Sequence, residues 1–119
     1  MRMWLVDPKI MCRKHLLGEH VEIHMLYGSI TRMKNINGFK YLVEPSKMAE
    51  RHDALAYEIT LRGYVHKSPL PLIEPLLLEQ YIDFNVNPEH SLRELLTRCN
   101  ECHELYDFEK QRSHINGSS

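Results

Sequence analysis

The feature that most constrains the fold is a long stretch without proline, between Pro8 and Pro45. At its start, Asp7 is a good helix N-cap, and Pro8 suits the first helical position, where its missing N–H is not needed. The stretch therefore predicts one long helix, or a slightly broken one, over residues 7–30. Gly18 is its weak point, because an interior glycine lowers helix stability.

One face of this predicted helix is polar. With about 100° of rotation per residue, His15, Glu19 and Glu22 fall on one narrow line. Large apolar residues form a stripe beside that line: Leu17, Val21 and Met25. Such a helix is expected to be half buried, with its polar line toward a cleft, a partner or water. In most proteins a line of this kind is a solvated surface.

The amino-acid sequence of this helix resembles that of a known family. Residues 15–23 read His-Leu-Leu-Gly-Glu-His-Val-Glu-Ile. They are similar to the helix His-Leu-Met-Ala-Glu-Tyr-Arg-Glu-Leu of the pyrimidine-dimer DNA glycosylases, the phage endonuclease V type. In this alignment Glu22 falls on the family's catalytic glutamate, and His20 falls on a tyrosine that lies beside the flipped-out nucleotide.

The start of the chain strengthens the resemblance. The family's nucleophile is its own α-amino group, on a threonine exposed by removal of the initiator Met and followed by an arginine. Here the chain begins Met1-Arg2, and we expect Met1 to be retained because arginine is too bulky to follow a cleaved Met. The interval from Met1 to Glu22 then equals that between the family's amine and glutamate. Arg2 falls on the family's arginine, and His15 on its histidine.

The resemblance implies an all-α fold, a single compact domain of three main helices joined by long ordered loops, with the N-terminus inserted between them. The domain is expected to span residues 1–108, and the polar tail 109–119 is expected to fray. An extended loop is expected at 31–45, followed by a helix at 47–62. A proline-rich apolar segment with one short helical turn at 74–80 comes next, and the last helix is expected from 88 to about 105. The cap of the second helix is expected at Ser46 and its end at Gly63.

The activity implied by the resemblance is that of a DNA glycosylase that is also an abasic-site lyase and removes damaged pyrimidines, pyrimidine dimers among them. Met1 and Glu22 are the implied catalytic residues, and no metal or cofactor is implied. The expected partner is double-stranded DNA with damaged or abasic sites. Its expected contacts are the following side chains: Arg2, Arg13, Lys14, His15 and His20.

Two parts of the family pattern are missing. The arginines on either side of the family's glutamate are Val21 and Met25 here. The family's C-terminal cluster, Trp-Tyr-Lys-Tyr-Tyr, has no counterpart beyond Tyr106 and Phe108. Because those family residues grip phosphates and the lesion region, the sequence leaves the identity of the lesion open. A non-catalytic member that binds nucleic acid or protein is the alternative.

A small zinc-binding module is a further alternative. Cys99-Asn-Glu-Cys102-His103 contains one Cys-x2-Cys pair, and Cys12 or His114 could supply a distant ligand. Structural zinc sites normally use two such pairs, so separate core and surface cysteines are the favoured interpretation. The same residues match the Cys-x2-Cys-His motif of c-type haem attachment, but the absence of an export signal disfavours that function.

His20 and His24 also have the spacing of zinc ligands on a helix. In metalloprotease helices, however, the glutamate directly follows the first histidine, whereas Glu22 lies two positions after His20. The pattern therefore does not favour a metalloprotease.

Charge is divided unevenly along the chain. The net charge is −1, but residues 1–70 hold 11 Lys or Arg against 7 Asp or Glu, and residues 71–119 hold 4 against 9. A basic half that carries the candidate site is compatible with phosphate contact. The content of 43% hydrophobic residues is ordinary for a globular protein. The sequence shows no membrane span and no signal peptide, so we expect a location in the bacterial cytoplasm or a phage-infected host cell. We also expect a monomer. Three cysteines in such a chain favour thiols over disulfides.

Overall fold

The first helix, α1 (Arg13–Thr31), begins later than the sequence predicted. The Asp7 carboxylate does cap a turn, since it accepts a backbone N–H at 3.0 Å, but that turn is the single 3-10 turn Pro8–Ile10. Cys12 then has an extended backbone and separates the turn from α1. Gly18, the predicted weak point, lies inside an unbroken helix.

The computed structural model describes residues 1–66 and 68–117, with side chains through Arg112, and places four helices after α1. They are α2 (Met48–Leu61), α3 (Pro75–Glu79), α4 (Pro88–Arg98) and α5 (Asn100–Gly117). The described ranges contain no strand, so the predicted all-α class is confirmed. The short α3 confirms the helical turn predicted at 74–80, whereas the single last helix that was expected is divided in two.

Helix α2 follows the prediction closely. Its C-terminal end is closed by Gly63, whose φ of +86° is the left-handed conformation that glycine adopts without a Cβ clash. Its start differs, because the turn Pro45–Lys47 precedes it and the predicted cap Ser46 falls inside that turn. The loop from 32 to 44 holds one 3-10 turn, Asn37–Phe39, and no strand, as expected.

The last helix breaks at Cys99, which separates α4 from α5. Its φ of −130° and ψ of 111° leave the helical region, and its carbonyl then accepts the first helical hydrogen bond of α5 at 3.1 Å. Helix α5 continues to Gly117, past the point where the tail was expected to fray. Residues 118 and 119 lie outside the described residues, and a domain boundary at residue 108 stays a prediction.

The N-terminal segment, residues 1–6, lies within the core as predicted. The Met3 N–H donates to the Leu42 carbonyl at 2.8 Å, and the Ser91 hydroxyl donates to the Trp4 carbonyl at 2.6 Å. Met3 and Trp4 are both buried. Because these bonds tie the segment to the loop before α2 and to α4, the chain start has a fixed position beside α1.

The proline-rich segment also packs across the core, as predicted. Tyr81, Phe84 and Val86 are buried, and the Glu44 carboxylate accepts the Val86 N–H at 2.9 Å. Among the helices of the described residues, none combines the length and the apolar character needed to cross a membrane.

Candidate active site

The three polar residues predicted on one line of α1 have different surroundings. Glu19 is 1% exposed and forms a two-pronged ion pair with Arg51 of α2, with N–O distances of 2.6 and 2.9 Å. Arg51 also donates to the Val6 carbonyl at 2.6 Å. Because this pair joins α1, α2 and the N-terminal segment in the interior, Glu19 has a structural role.

Glu22, one turn further along α1, is half-buried and has no hydrogen-bond partner in the part of the chain that the structure describes. Burial raises the pKa of its carboxyl, and the charge of Glu19 adds to that rise. The Met1 α-ammonium and the Arg2 guanidinium lower the pKa in turn, since both lie close enough for their charges to act on it. The chain start and Glu22 therefore share one electrostatic environment.

Met1 lies along the same face of α1 as Glu22. Its sulfur is 3.8 Å from the hydroxyl of Ser29, which is two turns beyond Glu22 on the helix. Met1 is half-buried, and its amine forms no direct ion pair with the Glu22 carboxylate. The two groups are thus coupled through their charges without a direct ion pair.

Arg2 is held by protein partners. Its guanidinium lies 3.7 Å from the centroid of the Trp4 ring and 2.6 Å from Glu94 of α4. The hydrogen bond from Arg2 lowers the pKa of the Glu94 carboxyl, and Arg98 pairs with the same carboxylate. Arg2 therefore fixes the N-terminal segment against α4.

The predicted DNA contacts at the start of α1 are free to face solvent. Arg13 and Lys14 are both exposed. The Arg13 guanidinium lies 5.0 Å from the centroid of the Tyr64 ring, beyond α2. Neither cation is in an ion pair within the described residues, so their charge is available to an anionic partner.

His20 lies in a cluster of imidazoles that the sequence did not predict. Its Nε2 is 3.2 Å from His52 Nε2 and 2.8 Å from His66 Nε2, and the three nitrogens converge on one point. Burial and the neighbouring imidazoles lower the pKa of His20 to about 4, so its ring is neutral near pH 7. The Ser68 carbonyl lies 2.9 Å from His24 Nε2 and 3.1 Å from His52 Nε2.

The i,i+4 spacing indicated His20 and His24 as a possible ligand pair. The nitrogens that converge instead belong to His20 of α1, His52 of α2 and His66 of the loop after α2. His24 lies against the cluster with its ring centroid 4.8 Å from that of His20. The high number of histidines, eight in 119 residues, was the one sequence feature that could have indicated this cluster.

His15 lies beside the thiols. Its Nδ1 is 3.1 Å from Cys12 Sγ and 3.7 Å from Cys102 Sγ, and its ring meets Trp4 edge-on with centroids 5.9 Å apart. Cys99 completes the group, with its sulfur 3.8 Å from that of Cys12. The sequence named Cys12 as a distant partner of the Cys99 pair but did not predict that His15 joins them. The His114 side chain lies outside the described residues.

The most voluminous of the described cavities lies elsewhere. It measures about 670 Å³ and is lined by the 3-10 turn Pro8–Ile10 together with Leu92 and Tyr106. Neither Met1 nor Glu22 lines it. Charged side chains line it beside the apolar ones, Asp7, Glu89 and Lys110 among them.

An all-α fold whose N-terminus is fixed beside a half-buried glutamate is the arrangement that the family resemblance implied. The family model for pyrimidine dimer DNA glycosylase matches residues 1–72, more than half of the chain, and the protein belongs to this family. No curated protein and no solved structure matches it. The family indicates DNA glycosylase activity and DNA as the partner.

The matched residues contain Met1 and Glu22 and end before α3. Helices α4 and α5, with Cys99 and Cys102, lie beyond the match. The family match therefore does not cover the part of the chain that carries the thiol pair.

Proposed function

We propose that the protein removes damaged pyrimidines, pyrimidine dimers among them, from double-stranded DNA and then cleaves the abasic site. The Met1 α-amine is the nucleophile, and Glu22 is the carboxylate that assists it. One observation carries the proposal: the two groups lie within reach of one another's charge, yet they do not pair. A pair that had collapsed into a salt bridge would leave no place for the sugar.

The chemistry needs no further group. The amine lone pair attacks the sugar C1′, the bond from C1′ to the base breaks, and the base leaves with the electron pair. One amine proton then moves to the ring oxygen as the sugar opens, which gives an imine between Met1 and C1′. The Glu22 carboxylate stabilises the cationic sugar and accepts the C2′ proton, and the 3′ phosphate leaves. Water hydrolyses the imine and returns the amine.

Arg13 and Lys14 are the proposed phosphate contacts, because both are exposed at the start of α1. His20 is the proposed contact to the flipped-out nucleotide, although it is only 9% exposed and its ring must leave the imidazole cluster to stack. Arg2 and His15 are already bound by protein groups, and we assign them to positioning the N-terminal segment.

A second candidate is DNA binding without chemistry. The observation in its favour is that Val21 and Met25 are 56% and 54% exposed beside Glu22. The family has arginines at these positions, so the surface next to the candidate site offers apolar groups where family members offer phosphate-binding cations. Weaker binding follows from this difference, whereas the amine and the carboxylate are unaffected by it.

Borohydride trapping on a duplex with one abasic site separates the two candidates. The first predicts a stable covalent adduct whose peptide map places the sugar on the Met1 nitrogen. The matched control is Lys14→Ala, which removes the exposed lysine of α1 and, with duplex in saturating excess to offset its weaker binding, should still form the adduct. Binding of the same duplex without any adduct would establish the second candidate instead.

A further inference from the structure

We propose that Cys12, His15, Cys99 and Cys102 bind one zinc ion, which closes the start of α1 against the start of α5. This site is independent of the proposed glycosylase chemistry. Three sulfurs and one imidazole nitrogen form a ligand set that zinc uses in structural sites. The four ligand atoms lie within 4.8 Å of one another.

The distances between the ligand atoms support a tetrahedral ion. Zinc binds sulfur at about 2.3 Å and nitrogen at about 2.0–2.1 Å, so tetrahedral angles put two sulfurs about 3.8 Å apart and a sulfur and a nitrogen about 3.6 Å apart. Cys12 Sγ and Cys99 Sγ are 3.8 Å apart. The His15 Nδ1 lies 3.1 Å from Cys12 Sγ and 3.7 Å from Cys102 Sγ.

The backbone explains why these side chains converge. Cys12 and Cys99 each occupy an N-cap, because their carbonyls accept the first helical bonds of α1 and α5 at 2.9 and 3.1 Å. His15 and Cys102 each follow their N-cap by three positions, one turn later on the same side of the helix. Two identical cap arrangements therefore face each other, each offering two ligands at the spacing of Cys-x2-Cys or Cys-x2-His.

Backbone N–H groups and two helix ends face the sulfurs. The Cys12 N–H donates to Cys102 Sγ at 3.2 Å, and the Cys102 N–H points to Cys99 Sγ at 3.5 Å. The positive ends of two helix dipoles also meet at this point, where negative charge is stabilised. Zinc-bound sulfur is a thiolate, so both features would stabilise the ligands of a bound ion.

The site has an evident structural purpose. Cys12 and Cys102 are buried, and four protein ligands would leave no open position for a substrate. His15 packs against Trp4, whose ring in turn carries the Arg2 guanidinium. A zinc ion here would fix α5 to α1 and hold the segment that ends in the amine of Met1.

The imidazole cluster is the rival metal site, and the experiment must tell sulfur from nitrogen. Untagged protein, purified in reductant without chelator, should contain close to one zinc per chain by elemental analysis. After exchange with cobalt(II), coordination by thiolates should give intense near-ultraviolet charge-transfer absorption and the visible bands of a tetrahedral ion. His66→Ala should keep these bands, because it changes only the imidazole cluster. Cys99→Ser should lose most of the charge-transfer absorption and the bound zinc.

Two controls keep the result independent of folding. His103→Ala changes an exposed residue next to Cys102 and should leave zinc content and spectrum unchanged. In the unaltered protein, zinc should protect three thiols from alkylation, and chelation should expose all three. A cobalt spectrum without sulfur charge transfer, or thiols that react equally with and without zinc, would overturn the proposal.

Discussion

Glu19 and Glu22 lie one turn apart on α1, yet their surroundings are opposite. Glu19 is 1% exposed and bound by both prongs of Arg51, which also holds the N-terminal segment. Glu22 is half-buried, and the described residues offer it no hydrogen bond. Glu19 is in contact with a guanidinium, whereas the Met1 ammonium acts on Glu22 through its charge without a direct ion pair.

The difference separates a structural carboxylate from a reactive one. A buried carboxylate in a two-pronged pair has its charge compensated by the guanidinium, so it is poorly placed to accept a proton or a cationic substrate. Glu22 is raised in pKa by burial and keeps an unused carboxylate next to an amine. Groups with such perturbed and unpaired character are frequent at active sites.

The largest effect is expected when the Met1 amine, the proposed nucleophile, is displaced or blocked. One extra residue before Met1, or acetylation of its amine, should abolish the borohydride-trapped adduct. An added residue moves the amine by about 3.5 Å, whereas the attack geometry tolerates roughly 1 Å. The trapped fraction on abasic duplex is the measurement, and an unchanged melting temperature is the control. Trapping at the native rate would identify an internal lysine as nucleophile, with Lys14 the nearest candidate.

The second effect isolates the carboxylate itself. Glu22→Gln should slow strand cleavage by about 100- to 10,000-fold, since it removes the base that accepts the C2′ proton. Single-turnover cleavage of an abasic duplex measures it. Because Glu22 has no partner among the described residues, urea unfolding and duplex binding should stay close to those of the parent. A protein that fails to fold would place Glu22 with Glu19 as a structural residue.

Sequence periodicity could predict that Glu19 and Glu22 share a line, but not which of them is buried in an ion pair. That depends on Arg51, which lies on another helix and reaches Glu19 only after α1 and α2 pack. The all-α class was implied by the family resemblance, whereas the extent of α2 and its stop at Gly63 were predictable from local proline and glycine signals.

The site was predictable only where a register could be counted. Met1 and Glu22 were predicted from the family resemblance and the interval that it shares with this chain, and the family match covers both. Cys12 was named only as one possible distant ligand of the Cys99 pair, since a contact across 87 positions leaves no periodic signal. The interruption of the helix at Cys12 had no sequence signal either, because Asp7 and Pro8 form a complete helix start of their own.

A third prediction tests the structural side of the comparison. Arg51→Ala should lower the free energy of unfolding by about 3–5 kcal/mol, because it leaves the Glu19 charge buried without its partner. Urea denaturation measures the loss. The matched control is Lys40→Ala, whose pair with Asp83 is largely exposed and should contribute far less. Cleavage per folded molecule should change little, and a selective loss of cleavage at full stability would give Arg51 a role in the reaction.

The smallest effect is expected on the salt dependence of duplex binding, when the cations Lys14 and Arg2 are removed. Lys14 is exposed and without an ion pair in the described ranges, so its charge can replace a counterion on the DNA. Lys14→Ala should weaken duplex binding and reduce the slope of log affinity against log salt by about 0.9. Arg2→Ala should leave that slope nearly unchanged, because the Arg2 charge is already compensated by Glu94 at 2.6 Å. Titrations at several salt concentrations measure both, and a lower slope for Arg2→Ala would return Arg2 to the phosphate contacts.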